Sequence, residues 1–136
     1  MRRACIDIGS NTTRLLVADC NGDGLSEVHQ ERAFTRISRG LLTGGHIPTA
    51  KIAEVAHVVA KQVDVARGLG ATQVAGLATA AIRRAANGGE LAEAVRAACG
   101  LEITVLTEQE EARLAFIGAA GMLERAPAAT LGVVDV

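Results

Sequence analysis

The chain has 136 residues and a formal net charge of −1, from 14 basic and 15 acidic side chains, a length that suits one compact domain. This balance gives no reason to expect attraction to nucleic acid or an anionic membrane. No apolar run approaches the roughly 18 residues that span a bilayer, and Met1-Arg2-Arg3 leads straight into a patterned strand rather than a signal peptide. The expectation is a cytoplasmic globular domain whose core is thin and aliphatic, because 26 Ala and 15 Gly leave Phe34 and Phe116 as the two aromatics.

In chain order, Ala4–Gly9 reads as a short apolar strand closing in a glycine, and Thr13–Cys20 as a second strand. Asn21-Gly22-Asp23-Gly24 is a hairpin signal, since these residues tolerate positive φ. A third strand with polar alternation follows from Leu25 to Ile37, then a glycine-containing loop from Gly40 to Pro48. From Thr49 the period changes: Ile52, Val55, Val59, Val63 and Ala66 form the stripe of a long amphipathic helix, ended by Gly68 and Gly70. Gln73–Ala78 is a strand, and Thr79–Ala86 a short helix stopped by Asn87-Gly88-Gly89. Leu91, Ala94, Val95 and Ala98 mark another helix, ended by Gly100, and Glu102–Leu106 is a fifth strand. Thr107-Glu108-Gln109-Glu110 matches a capping box that opens a helix reaching about Leu123. Leu131–Val136 begins a further strand that repeats the pattern of the first, apolar pairs around one aspartate.

This order predicts an α/β fold: a mixed five-stranded sheet in βββαβαβα order with helices on both faces. Residues 1–130 form one domain on this reading, and 131–136 the truncated first strand of a second, similar domain. Cys5, Cys20 and Cys99 are odd in number, widely spaced and without a CxxC pair, which suits small buried residues in a reducing compartment. His29, His46 and His57 lack metal-ligand spacing to one another or to a cysteine.

Two segments carry the chemistry. Asp7-Ile8-Gly9-Ser10-Asn11-Thr12-Thr13 lies at the turn between the first two strands. Glycine lets backbone approach a ligand, Ser10, Asn11 and Thr12 bring donors, and Asp7 at a strand's carboxyl end is placed to hold Mg2+ or its waters near phosphate oxygens. The plainer alternative is a hairpin with polar turn residues. In the second segment, Thr107–Arg113, Glu110 falls at the capping position while Glu111 is left without that duty. A carboxylate there serves either as a general base toward water or simply as a favourable first-turn charge. Arg14, Arg36, Arg83 and Arg84 are the basic candidates, in a chain with 12 Arg and two Lys; guanidinium forks suit phosphate. Arg83 stands out because it follows a strand and turn, near the carboxyl edge of a parallel sheet.

Taken in order, IDIGSNTTRLLV (6–17), TRISRGL (35–41), LATAAIRRAAN (77–87), ITVLTEQEEARLAF (103–116) and GVVDV (132–136) resemble the exopolyphosphatase/guanosine pentaphosphate phosphatase family. The resemblance implies the N-terminal, ribonuclease-H-like domain of an actin-like ATPase superfold, facing a second domain across a phosphate cleft. It implies that Gly9, Ser10, Asn11, Thr12 and Arg14 belong to the first phosphate-binding segment and that Arg83 contacts substrate phosphate. Glu111 corresponds to the glutamate that activates water, and Asp135, with Asp7, to a magnesium-binding acid. Ser38, Glu108 and Ala80-Ala81 depart from the family pattern, where a glycine, a small residue and a serine or threonine are usual.

The activity so implied is release of terminal phosphate from inorganic polyphosphate or guanosine pentaphosphate by magnesium-assisted attack of water, with this chain inactive alone. The implied partners are that substrate and the missing second domain, with neither nucleic acid nor membrane; a homodimer of the full-length protein is left open. Two alternatives stand beside it: half of a small-molecule kinase of the same superfold, and a non-catalytic phosphate-binding domain.

Overall fold

The computed structural model describes residues 1–22, 24–41 and 44–121. Strands β1 (Arg2–Ile8), β2 (Thr13–Asn21) and β3 (Gly24–Ala33) open the fold as an antiparallel meander. Helix α1 (Thr49–Gly68) then crosses to β4 (Gln73–Ala78), which pairs parallel to β1. The short helix α2 (Ala80–Arg84) and α3 (Gly88–Cys99) lead to β5 (Ile103–Val105), parallel to β4, and α4 (Glu108–Gly121) follows. The sheet order is β3-β2-β1-β4-β5, the mixed five-stranded sheet expected from the pattern.

The core lies on one face of this sheet. Ala4, Ile6 and Ile8 of β1 point the same way as their register partners Val17, Leu15 and Thr13 on β2, and all are buried. Against them pack Val55, Val59 and Val63 from the stripe of α1, with Leu91 and Val95 of α3. Fully burying each such side chain stabilises the fold by roughly 1.5–3 kcal/mol. Thr13 is the polar exception in this layer: its hydroxyl meets that of Thr35 at 3.1 Å, and its carbonyl accepts from Gln62 Nε2 at 3.4 Å. The opposite face, carrying Cys5, Asp7 and Leu77, looks into a cleft bounded by Ala112 and Ala115 of α4.

Most element ends, such as those of β1, α2 and β5, fall within two residues of the sequence expectation, and two boundaries differ for a physical reason. β3 ends at Ala33 rather than Ile37, because Arg36 adopts a left-handed conformation (φ 48°) and a 3₁₀ turn occupies Ile37–Gly40. That turn leaves the sheet to clamp the first loop: the Arg36 and Ser38 amides donate to the Asn11 and Ser10 carbonyls at 2.9 and 3.0 Å. Gly88 and Gly89, expected to stop a helix, instead begin α3, with Asn87 at its N-cap position. The Asn87 side chain is committed elsewhere, accepting from the Ile47 amide at 2.8 Å and donating to the Ile47 carbonyl at 3.0 Å.

The reason for glycine at 88 is proximity. A β-carbon there would collide with the Ile82 carbonyl oxygen, whereas one at Gly89 would meet open space. Gly88→Ala is therefore expected to destabilise the fold by about 1–3 kcal/mol, and Gly89→Ala to be neutral or stabilising by up to about 1 kcal/mol. Urea melts of the two variants check this; equal effects would contradict the close approach of Ile82 to Gly88.

Candidate functional site

The carboxyl ends of the parallel strands β1, β4 and β5 lie side by side, and the segments leaving them form the site. Two backbone bonds hold these ends in step: the Thr79 amide donates to the Ile8 carbonyl at 3.3 Å, and the Leu106 amide to the Ala78 carbonyl at 2.9 Å. Ligands of open α/β sheets bind outside such strand ends. Here the space is an open cleft of about 940 Å³.

Its first wall is the β1–β2 loop. The Gly9 amide donates to the Thr12 carbonyl at 2.9 Å, and a β-carbon on Gly9 would press to 3.2 Å on that same oxygen. Arg14 Nε reaches the Thr12 hydroxyl at 3.4 Å, and Ser38 Oγ donates to the Ser10 carbonyl at 3.2 Å. Asp7, Gly9, Ser10, Asn11, Thr12 and Arg14 all line the cleft.

The second wall joins α2 to the start of α4 through Arg83. Its Nη1 donates to the Leu106 carbonyl at 2.6 Å and to Glu111 Oε2 at 3.1 Å. Its Nη2 lies 3.7 Å from Glu108 Oε1, which also accepts from Arg84 Nη2 at 3.4 Å. Arg83 is mostly sheltered, its side chain 22% exposed, while Glu108 and Arg84 stand in solvent at 72% and 73%. The fold thus brings Arg83 and Glu111, 28 residues apart, into direct contact.

The capping box forms as the sequence predicts. The Thr107 amide and hydroxyl donate to Glu110 Oε2 at 2.8 and 2.9 Å, and the Glu110 amide returns a bond to Thr107 Oγ1 at 3.2 Å. These bonds from Thr107 hold the Glu110 carboxyl below the usual carboxylate range. On the cleft floor, burial pushes the Cys5 thiol up, with Asp7 adding to the effect; a thiol so disfavoured as a thiolate is floor, not nucleophile.

Of the residues singled out from sequence, Asp7, Gly9, Ser10, Asn11, Thr12, Arg14, Arg83 and Glu111 share this cleft, and Arg84 joins them. Arg36 does not line it and instead sets its guanidinium 5.9 Å from the Phe34 ring centre. Asp135, with the strand expected at 131–136, lies outside the described residues. Sequence reasoning missed Arg32 and Phe34. Arg32 is the register partner of Arg14, so the two arginines face the cleft together. The missed signal is a bulge between Val17 and Ala18, which shifts the pairing by one residue.

For divalent metal, the oxygen chemistry of the loop is suitable: a carboxylate from Asp7, hydroxyls from Ser10 and Thr12, and the Asn11 amide line one wall. Among the described residues, no group of three or more His, Cys, Asp or Glu is arranged to hold a metal ion. This donor set fits Mg2+, which keeps most of its waters and takes one or two carboxylates plus phosphate oxygens. No helix among the described residues is long and apolar enough to cross a membrane.

Solved structures share this fold. The Aquifex aeolicus Ppx/GppA enzyme matches with a TM-score of 0.85 and 31% identity, over 93% of this chain and 42% of that one. An exopolyphosphatase from Cytophaga hutchinsonii matches with a TM-score of 0.82 and 24% identity, over 88% and 38%. The mixed sheet with its cleft at the parallel strand ends is therefore a domain of the actin-like ATPase fold. Among curated relatives, exopolyphosphatase 2 of Mycobacterium tuberculosis is 34% identical over 137 aligned positions, covering 93% of this chain and 43% of its own length. Exopolyphosphatase 1 of the same organism is 28% identical over 118, covering 86% and 34%. Residues 16–136 match the Ppx/GppA phosphatase family, and the chain belongs to it. It spans about a third to two-fifths of the length of the curated relatives it matches.

The Glu110 cap gives a pH prediction. A carboxyl depressed in the folded state contributes stability that is complete above the ordinary carboxylate pKa of about 4.3 and is lost as pH falls through the depressed value. Glu110→Ala should melt below the native chain by a constant margin from pH 7 to 5, and the margin should shrink on further acidification. Circular dichroism melts at 222 nm check this, and a margin that widens in acid would contradict it.

Proposed function

We propose that this chain supplies one wall of a phosphohydrolase active site that removes the terminal phosphoryl group of inorganic polyphosphate or guanosine pentaphosphate. The observation that carries the reading is the Arg83–Glu111 contact inside the cleft that also holds the Asp7–Thr12 loop. It joins an anion-binding group, a carboxylate and a loop rich in donors, the three parts that phosphoryl transfer to water requires. Membership in the Ppx/GppA family and likeness to named exopolyphosphatases support the same chemistry.

In this scheme the loop from Gly9 to Thr12 and the guanidinium of Arg14 hold the terminal phosphate. Arg83, fixed by the Leu106 carbonyl, keeps Glu111 at a set position while offering charge to the phosphoryl oxygens. Glu111 takes the proton of a water whose oxygen attacks phosphorus. The bond from phosphorus to the bridging oxygen breaks, orthophosphate leaves, and the chain shortened by one phosphate keeps the bridging oxygen. Asp7 would hold Mg2+ through its waters, and the ion would offset charge on the phosphate oxygens. Asp135 is proposed as its second acid. The remaining length found in the relatives would close the opposite side of the cleft.

Replacing Glu111 by Gln in the full-length protein should lower phosphate release by about 10²–10⁴-fold with substrate still bound. Orthophosphate release from both substrates, with and without magnesium, reads this out, and unchanged turnover would overturn the assignment. The 136-residue chain alone should show no turnover, since half of the proposed clamp is absent from it; robust hydrolysis by this chain would remove the need for a second wall.

A further inference from the structure

We infer that Glu108 is a displaceable internal counter-anion, which occupies Arg83 and Arg84 when no phosphate is bound and yields them to a polyphosphate ligand. The inference rests on the phosphate-cleft reading above and concerns a residue to which that mechanism gives no part.

The three acids of the first α4 turn divide their tasks. Glu110 is bound to Thr107 as the helix cap, and Glu111 receives Nη1 of Arg83. Glu108 places a single oxygen, Oε1, between Nη2 of Arg83 and Nη2 of Arg84. Four charges at this edge therefore cancel: two guanidiniums against Glu108 and Glu111. The opposite wall is different: Arg14 has Asp7 as its register partner on one side and Arg32 on the other, so two guanidiniums stand there against one carboxylate, and a bound anion offsets the excess.

The Glu108 contacts are the ones that can exchange. At 3.4 and 3.7 Å they are long, and both Glu108 and Arg84 are largely in water. Exposed pairs of this kind are weak and screened by salt. A phosphate oxygen is a stronger and more highly charged acceptor for the same N–H groups. A ligand with several phosphates held by Arg14 and Arg32 brings further phosphate oxygens into the cleft that Arg83 and Arg84 also line, and displaces Glu108. A single orthophosphate offers fewer oxygens to do so, and the return of Glu108 to Arg83 and Arg84 favours its departure. Glu108 thereby sets preference for chains of phosphate over the released product.

The test is a titration of the 136-residue chain with inorganic tripolyphosphate and, separately, orthophosphate, followed by the arginine side-chain N–H resonances. Glu108→Gln should bind both anions more tightly, by about two- to fivefold, the range set by loss of an exposed ion pair, with a larger gain for orthophosphate. Glu110→Gln removes the same charge in the same turn but keeps an acceptor for the cap, and should leave affinity unchanged. In the double variant Glu108→Gln/Arg84→Gln the gain, measured against Arg84→Gln alone, should shrink, because Arg83 is then the one guanidinium left for Glu108 to release. Unchanged or weaker binding by Glu108→Gln, an equal gain from Glu110→Gln, or a gain undiminished without Arg84 overturns the inference. Absence of binding by every form overturns it together with the cleft reading, whereas unchanged turnover in Glu111→Gln would overturn the catalytic assignment alone.

Discussion

Side chains along an extended strand must alternate between the two faces of its sheet, and in β1 that alternation separates stability from chemistry. Ala4, Ile6 and Ile8 point into the layer built by α1 and α3, while Cys5 and Asp7 between them point into the cleft. Because β1 is flanked by β2 on one side and β4 on the other, its register fixes both neighbours. Thr13 and Ala78 both stand beside Ile8, so the first loop and the entry to α2 start from the same level. Shifting β1 by one residue would bury Asp7 and expose the isoleucines. The position of the acidic group is thus enforced by the core behind it.

Across the cleft, position is enforced by Arg83. Its bonds to the Leu106 carbonyl and to Glu111 tie the segment after β4 to the segment after β5. Among the described residues, the other ties on the start of α4 include its cap at Thr107, the exposed Arg84–Glu108 pair and the short strand Ile103–Val105 that precedes it. A carboxylate on a helix held so lightly gains a fixed direction from the guanidinium. The same side chain therefore both orients the carboxylate and lines the cleft.

Features set by local periodicity were legible in the sequence. The stripe from Ile52 to Ala66 gave α1, Gln73–Ala78 gave β4 to the residue, and Thr107 with Glu110 gave the cap, because each is determined by neighbours a few residues apart. Features set by distant contacts were not. Gly88 looked like a stop signal, but it is glycine because the Ile82 carbonyl leaves no room for a side chain. β3 looked longer than it is because Phe34-Thr35-Arg36-Ile37 continues its apolar pattern, while the Asn11 and Ser10 carbonyls pull the chain out of the sheet. Single candidates such as Asp7, Arg83 and Glu111 were found; the contact of Arg83 with Glu111 joins residues no local pattern connects.

The bulge in the β2–β3 pairing has a consequence for how this cleft can vary among related proteins. From Asn21↔Gly24 to Ala18↔Glu27 the ladder is regular, and continued unbroken it would set Arg14 opposite Glu31. The extra residue, Val28, moves the count by one and sets Arg14 opposite Arg32. A single insertion in the far hairpin, if the ladder and its bulge kept their present spacing, would set Glu31 opposite Arg14, and a single deletion would set Ala33 there. The charge of the cleft can thus drift through the length of a remote turn while the Asp7–Thr12 loop, Arg83 and Glu111 stay the same.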